Sequence, residues 1–380
     1  MDTDILVIGA GPAGLAVASS LIACGREPLV IEKAEQVAAS WRTHYERLHL
    51  HTVKALSALP GLPFPAAAPR YVPRQGVVDY LADYAERRGV RPRFGQDAVK
   101  VVPQGGRWRA VLADGTDITA NAIVVATGAN IVPFVPSFEG RDGFAGRIVH
   151  SASYRTAAPF AGERVLVVGM GNTGAEIALD LCEHGVSVAL SVRSPVNIVH
   201  RDVLGRPTQR TSMLLARLPP AWGNALASWL RDLTVGDMSR HGLRTPATSP
   251  LADLREHGKT PVIDVGTLAR IRAGEIRVHP GIERLLPGGA RFVDGSEATF
   301  DVILAATGYR SGIAELFPDA AVSLDAGGLP RQVVGEGALA GVYFVGFDTR
   351  QPGGLLRTIG QQAVAVAASL CAARRGAPQR

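Results

Sequence analysis

The chain has 380 residues, 47% hydrophobic and 19% charged, with a formal net charge of +6. That length supports two or three domains around a large core, and no apolar run reaches the roughly 18 residues of a membrane span. The 40 lysines and arginines form no block or aromatic-laced stripe, which argues against nucleic acid as a partner, and Cys24, Cys182 and Cys371 show no C-x-x-C pair, zinc spacing or disulfide framework, which argues against a metal site.

In chain order, MDTDILVIGA carries an acidic second residue and runs straight into a strand, so no signal peptide is expected and a cytoplasmic location is. The strand Ile5 to Ile8 leads into a G-x-G-x-x-G turn of Gly9, Gly11 and Gly14, with Pro12 and Ala13 opening a helix. The first glycine permits the tight turn, the second lets backbone approach a pyrophosphate, and the third allows helix and strand to pack closely. The helix N-terminus offers N–H groups and a positive dipole end to the phosphates. A second strand, PLVIEK, ends at Glu32, where a carboxylate accepts hydrogen bonds from a ribose diol.

The proline-rich stretch ALPGLPFPAAAPRYVPR (58–74) reads as a wrap over a cofactor rather than a disordered linker. AIVVATG (122–128) is an apolar strand ending in Thr127 and Gly128, where backbone can pass close to a cofactor. FAGRIVHSASYR (144–155), taken alone, reads as core packing with a structural histidine.

The fingerprint then recurs. RVLVVGMGNTGAEIALDLCEHG gives a strand, then Gly169, Gly171, Asn172, Thr173 and Gly174 entering a helix. Its second strand ends at Arg193 and Ser194, and a cation beside a hydroxyl suits a ribose phosphate. This site is expected to hold NADPH, which leaves FAD for the acid-ended first site. Residues 201–243 form a long amphipathic insertion. Burial within the chain is its expected fate; a substrate entrance, a membrane surface or a homodimer contact are the others. VILAATG (302–308) repeats the earlier strand with Thr307 and Gly308. Finally VYFVGFD and TRQPGGLL lead into a helix whose N-terminus, around Leu356, is aimed at the flavin. There it would stabilise negative charge by roughly 0.3–1 kcal/mol.

The expected fold class is α/β, with two Rossmann-like dinucleotide-binding domains: residues 1–158 and 296–380 for FAD, and an inserted 159–295 for NADPH. Hydride from NADPH leaves the flavin with two electrons to dispose of. A dithiol reductase needs a cysteine pair the sequence does not show, which points to molecular oxygen as acceptor.

Between the two fingerprints, Phe144, Gly146, His150 and Tyr154 match F-x-G-x-x-x-H-x-x-x-Y/F, the signature of the flavin-containing (class B flavoprotein) monooxygenases, which the chain resembles. The Baeyer–Villiger relatives carry Trp where this chain has Tyr154. WRTHYERLHLHTVK, PRYVPRQGVVDYLADYA, GKTPVIDVGTLARIRAGEIRVHPGI and DVILAATGYRS are similar to the YUCCA-type branch, over nearly the whole chain. Plant members of that branch convert indole-3-pyruvate to indole-3-acetate by oxidative decarboxylation. The resemblance implies a C4a-hydroperoxyflavin that gives one oxygen atom to a small organic substrate while NADP⁺ stays bound. An α-keto acid, a small amine or a thioether fits this chemistry, and a reductase or oxidase without oxygen insertion is the rival. It further implies that the signature helps hold NADP⁺. His51, where the YUCCA-type branch has histidine and animal-type members asparagine, is the expected catalytic donor. Trp41, Arg42, Thr52 and Ala98 are further candidate cofactor contacts.

Overall fold

The run Ile5–Leu6–Val7–Ile8 shows no polar alternation, and in the computed structural model it is buried on both faces as an inner strand of a largely parallel sheet. The structure describes residues 1–320 and 322–375. The expected FAD segment to residue 380 therefore ends outside the described residues.

Residues divide into two units by packing. The first comprises 1–43, 52–132 and 309 onward. Its sheet runs Leu29–Ile31, Asp2–Ile8, Asp117–Val125, Arg107–Leu112, Ala98–Gln104. Asp2–Ile8 pairs in parallel with both neighbours, placing Ile8 beside Ile31 and Val125. Arg107–Leu112 alternates instead, with Trp108, Ala110 and Leu112 buried and the two arginines outward, as an antiparallel strand with one wet face does. The far end of Asp117–Val125 pairs with Val342–Phe344, so the last segment of the chain completes this sheet.

Helix Pro12–Ala23 starts with proline in its first turn and packs against the C-terminal helix Leu355–Arg375. The span Leu355–Ala372 is long and apolar enough to cross a membrane by length and composition. Its Ile359, Ala363, Val366, Ala367 and Leu370 are buried in a stripe at helical spacing, the pattern of a core helix.

The structure corrects the expectation of unpaired cysteines. Cys24 and Cys371 form a disulfide across 347 residues, with Cα atoms 6.7 Å apart. No local spacing could signal a bond made where two distant helices happen to end together. Cys24 follows Pro12–Ala23, so it lies about 18 Å along that helix from the glycine turn. A thiol pair there is remote from a dinucleotide seated on the turn.

The second unit comprises 44–51 and 133–308. Its five-stranded sheet is wholly parallel, in the order Arg277–His279, Ser187–Ser191, Arg164–Val168, Val302–Ala305, Arg147–His150. Three short antiparallel strands, Ile282–Leu286, Gly289–Phe292 and Glu297–Thr299, form a separate sheet. The division thus differs from one at 158/159 and 295/296, because Arg147–His150 and Val302–Ala305 are strands of the second sheet. Residues 44–51 join it through helix Asn172–Glu183: Arg47 pairs with Glu183, and His51 bonds to Glu176.

Within this unit, Gly146 precedes Arg147–His150 where the chain squeezes past its neighbour. A Cβ there would stand 2.3 Å from the Asp301 carbonyl oxygen and 2.5 Å from the Phe144 ring. Gly146→Ala is therefore expected to cost about 1–3 kcal/mol of stability. Urea unfolding followed by tryptophan fluorescence checks this; an unchanged midpoint would remove the steric account of that signature position.

Candidate functional site

In the first unit the three fingerprint glycines serve different ends. Gly9 sits at φ +107° and donates its N–H to the Ile31 carbonyl at 2.8 Å. A Cβ on Gly14 would lie 1.8 Å from the Gly9 carbonyl oxygen, so only glycine lets the helix start this close to the strand. Gly11 differs. Its φ of −78° suits any residue, and nothing lies within 4 Å of the Cβ it lacks. The cradle it leaves at a helix N-terminus has the shape and polarity a pyrophosphate needs.

Glu32 is buried beside this turn. Its carboxylate accepts from the Ala10 N–H at 2.7 Å and the Ala34 N–H at 3.0 Å, which fixes it in place. An ionised carboxylate offers about four acceptor directions, so two remain for a ribose diol. The Thr127 hydroxyl, at the end of Asp117–Val125, is buried without a hydrogen-bond partner. Such an orphan donor marks a place where a missing group belongs. These features fit FAD. Ala13 is buried against Gly346, and Gly128 follows Thr127 in a left-handed conformation.

Thr52 packs on the turn before Leu355–Arg375, where a Cβ on Gly354 would lie 2.6 Å from its methyl group. Leu356 is the second residue of that helix, so Thr52 and Leu356 stand at one helix N-terminus. Trp41 and Arg42 close the short helix Ala39–Arg42; the Arg42 Nε donates to the Val37 carbonyl, and Arg74 donates to the Arg42 carbonyl. Ala98 opens its strand two residues after Gln96, whose N–H donates to the Glu32 carbonyl.

The second unit repeats the device. Gly169 donates to the Ser191 carbonyl at 2.9 Å, a Cβ on Gly174 would meet the Gly169 carbonyl oxygen at 2.0 Å, and the space above Gly171 is open. Beyond Ser187–Ser191, Arg193 and Ser194 are exposed. The Arg244 guanidinium donates to the Arg193 carbonyl at 2.7 Å, which adds a second cation to that corner. Sequence reading missed Arg244, because the insertion separates the two arginines by 51 residues. Asn172 is differently engaged than expected: its side chain bonds to the Pro261 carbonyl and the Ile263 N–H, leaving only its backbone to the cradle. Thr173 donates its hydroxyl to Tyr45.

Helix Asn172–Glu183 also buries two acids on its inner face, Glu176 and Asp180, one turn apart. Tyr45 and His51 Nε2 both bond to the Glu176 carboxylate. Burial, then the Glu176 charge, pushes the Tyr45 hydroxyl well above its ordinary value, so it stays protonated and donates. His51 Nδ1 is buried with no partner. His49 points elsewhere, exposed and bonded to the Arg47 carbonyl. Asp180 accepts from the Tyr154 hydroxyl at 2.6 Å, and burial and that acid together raise the Tyr154 pKa. Glu176 escaped the sequence reading, although two acids at i and i+4 on the apolar face of a helix were a signal.

The signature spacing now has a local meaning. Phe144 and Gly146 fit together, Tyr154 caps Asp180, and His150 bridges two strands' ends. Its Nε2 donates to the Gly308 carbonyl at 3.0 Å, while Nδ1 accepts from the Ala152 N–H at 3.1 Å. Thr307 donates to the Phe134 carbonyl, so Thr307 and Gly308 are both tied down by hydrogen bonds. Burial lowers the His150 pKa from 6.5, against the Gly308 carbonyl, and likewise lowers that of His279, which stacks on Phe292 at 4.3 Å.

Two outcomes follow for the second unit. Tyr154→Phe strips a buried carboxylate of its donor and is expected to cost about 1–3 kcal/mol, read as a lowered unfolding midpoint. The two depressed imidazoles take up protons at lower pH in the fold than in the unfolded chain. Their stability contribution is thus complete above an ordinary value of 6.5 and falls as pH drops below it. Between about pH 7.5 and about pH 5.5 the melting temperature should drop, and His150→Gln should make that drop shallower.

Comparison with known proteins agrees with this geometry. The family model described as flavin-binding monooxygenase-like matches residues 2–324. "Indole-3-pyruvate monooxygenase YUCCA1" of Oryza sativa subsp. japonica is 39% identical over 362 residues, covering 93% of this chain and 88% of that protein. The YUCCA6 enzyme of the same activity from Arabidopsis thaliana is 39% identical over 359 residues, 92% of this chain and 86% of that protein. Among solved structures, a double mutant of the flavin monooxygenase from Stenotrophomonas maltophilia superposes with a TM-score of 0.74 at 25% identity, covering 98% of this chain and 99% of that one. The chain belongs to the flavin-binding monooxygenase-like family and is a flavin-dependent oxidoreductase.

Proposed function

We propose that this member of the flavin-binding monooxygenase-like family oxidatively decarboxylates an α-keto acid, with indole-3-pyruvate the first substrate to test. The observation that carries the reading is the 39% identity to a named indole-3-pyruvate monooxygenase along 93% of the chain, with both glycine cradles intact. Atoms and electrons balance for such a reaction. NADPH supplies two electrons, one oxygen atom leaves as water, and the other stays in the shortened acid as carbon dioxide departs.

Gly9, Gly11, Pro12, Ala13, Gly14, Glu32 and Thr127 hold FAD in this reading, and Gly169, Gly171, Gly174, Arg193, Ser194 and Arg244 hold NADPH. Bound FAD supplies the two-electron carrier that takes hydride from NADPH and lets oxygen react. The chain's own part is binding, orientation and proton placement. With Nε2–H given to Glu176, His51 keeps its lone pair on Nδ1, a buried atom able to take a proton and return it as a hydrogen bond. Glu176 is a positioning residue that fixes that tautomer, while Tyr45 occupies another lone pair of the same carboxylate.

The purified holoenzyme, given NADPH, oxygen and indole-3-pyruvate, should consume NADPH in step with indole-3-acetate and carbon dioxide. NADPH oxidation that yields only hydrogen peroxide, with the keto acid untouched, would overturn the substrate. His51→Ala should lower coupled turnover about 100-fold or more, with hydrogen peroxide replacing product. Glu176→Gln should shift the pH profile of kcat while leaving the KM for NADPH alone. Converting Arg193 and Arg244 together to alanine removes two charge-assisted bonds of about 1.5–3 kcal/mol each. It should raise the KM for NADPH at least tenfold and leave that for NADH nearly unchanged; equal effects on both would place the phosphate elsewhere.

A further inference from the structure

The insertion buries part of its apolar surface, as its sequence leads one to expect, through Leu215, Val235, Met238 and Leu243, but it leaves one apolar helix face uncovered. Helix Pro220–Val235 is turned with its charge inward: Arg231 is buried and donates to the Asn197 side-chain oxygen at 2.6 Å and to the Thr248 carbonyl at 3.2 Å. The opposite face carries Trp222, Leu226, Trp229 and Leu233, exposed to 75%, 38%, 58% and 65%. Their spacing of four, three and four residues is the narrow a/d seam of a helix that packs on another helix.

We propose that this seam is the contact through which two copies of the chain pair, with their Pro220–Val235 helices antiparallel about a twofold axis. Three features select a second copy. The seam alone offers on the order of 500 Å² of apolar surface, against about 800 Å² per partner in a standard interface, so a modest polar rim completes it. An isologous pairing centred between Leu226 and Trp229 sets Trp222 on the partner's Leu233 and Leu226 on the partner's Trp229. It also brings Arg217, just before the helix, opposite Asp237, just after it, so unlike charges meet at both ends. A membrane-surface helix lines its flanks with Lys and Arg; here the helix carries no lysine, its one arginine is buried, and its exposed charge is Asp232.

Sedimentation or light scattering on the FAD-loaded full chain should give twice 39.9 kDa at micromolar concentration. Trp222→Glu with Trp229→Glu should raise the dimer dissociation constant at least 100-fold, with flavin content unchanged because both side chains are exposed in the single chain. Arg217→Glu alone should weaken pairing about tenfold, and adding Asp237→Arg should restore it. A wild-type monomer, or a dimer indifferent to the tryptophans, overturns the proposal. So does a monomer that floats with phosphatidylserine vesicles in a tryptophan-dependent way, which would make the seam a lipid contact. Dimerisation lost with the tryptophans but not rescued by the charge exchange overturns the antiparallel register.

Discussion

A helix pressed against a strand at a separation only glycine tolerates underlies both nucleotide cradles. At Gly14 and Gly174 a single methyl group would overlap a carbonyl oxygen at 1.8 and 2.0 Å. Because the helix begins so near the strand, its unsatisfied N–H groups point into open space rather than into protein. The neighbouring glycines, Gly11 and Gly171, keep that space clear. What differs between the two cradles is the residue at the next strand's end. The first ends in a buried carboxylate held by two amides, chemistry that suits a neutral diol, and the second in an exposed arginine with a second arginine on its carbonyl, chemistry that suits a phosphate.

The second constraint is electrostatic. Helix Asn172–Glu183 buries two acids, and each is made tolerable by a tyrosine that donates to it and a histidine beside it. One tyrosine comes from the signature, the other from residues 44–51. That short segment therefore packs with the second unit although its neighbours on both sides belong to the first. His51 arrives with it, its orientation dictated by Glu176.

Much of this was readable in the sequence, for identifiable reasons. The glycine spacing, the strand-ending Glu32 and the strand-ending Arg193 are local signals, each set by contacts within a few residues or one βαβ unit. The strands were readable as apolar runs, but not their sheet membership. Arg147–His150 and Val302–Ala305 pair with each other across 155 residues, which no periodicity reports. Arg244, Glu176 and the Cys24–Cys371 bond share that defect: their partners lie 51, 125 and 347 residues away. Asn172 shows the converse error. A polar residue at the right fingerprint position proved to be spoken for by Pro261 and Ile263. The insertion was legible in part. Its helical period was correct, but period alone does not say which face turns inward, and a buried arginine network decided that.

The split of the first unit has a consequence for the order in which the chain takes shape during synthesis. Val342–Phe344 completes its sheet and Leu355–Arg375 covers its first helix, so the core of the first unit stays open until these two segments have left the ribosome. The second unit is complete by Gly308. Vectorial emergence thus presents a finished second unit while Pro12–Ala23 still waits for its covering helix, and the Cys24–Cys371 bond can close only after that helix has emerged.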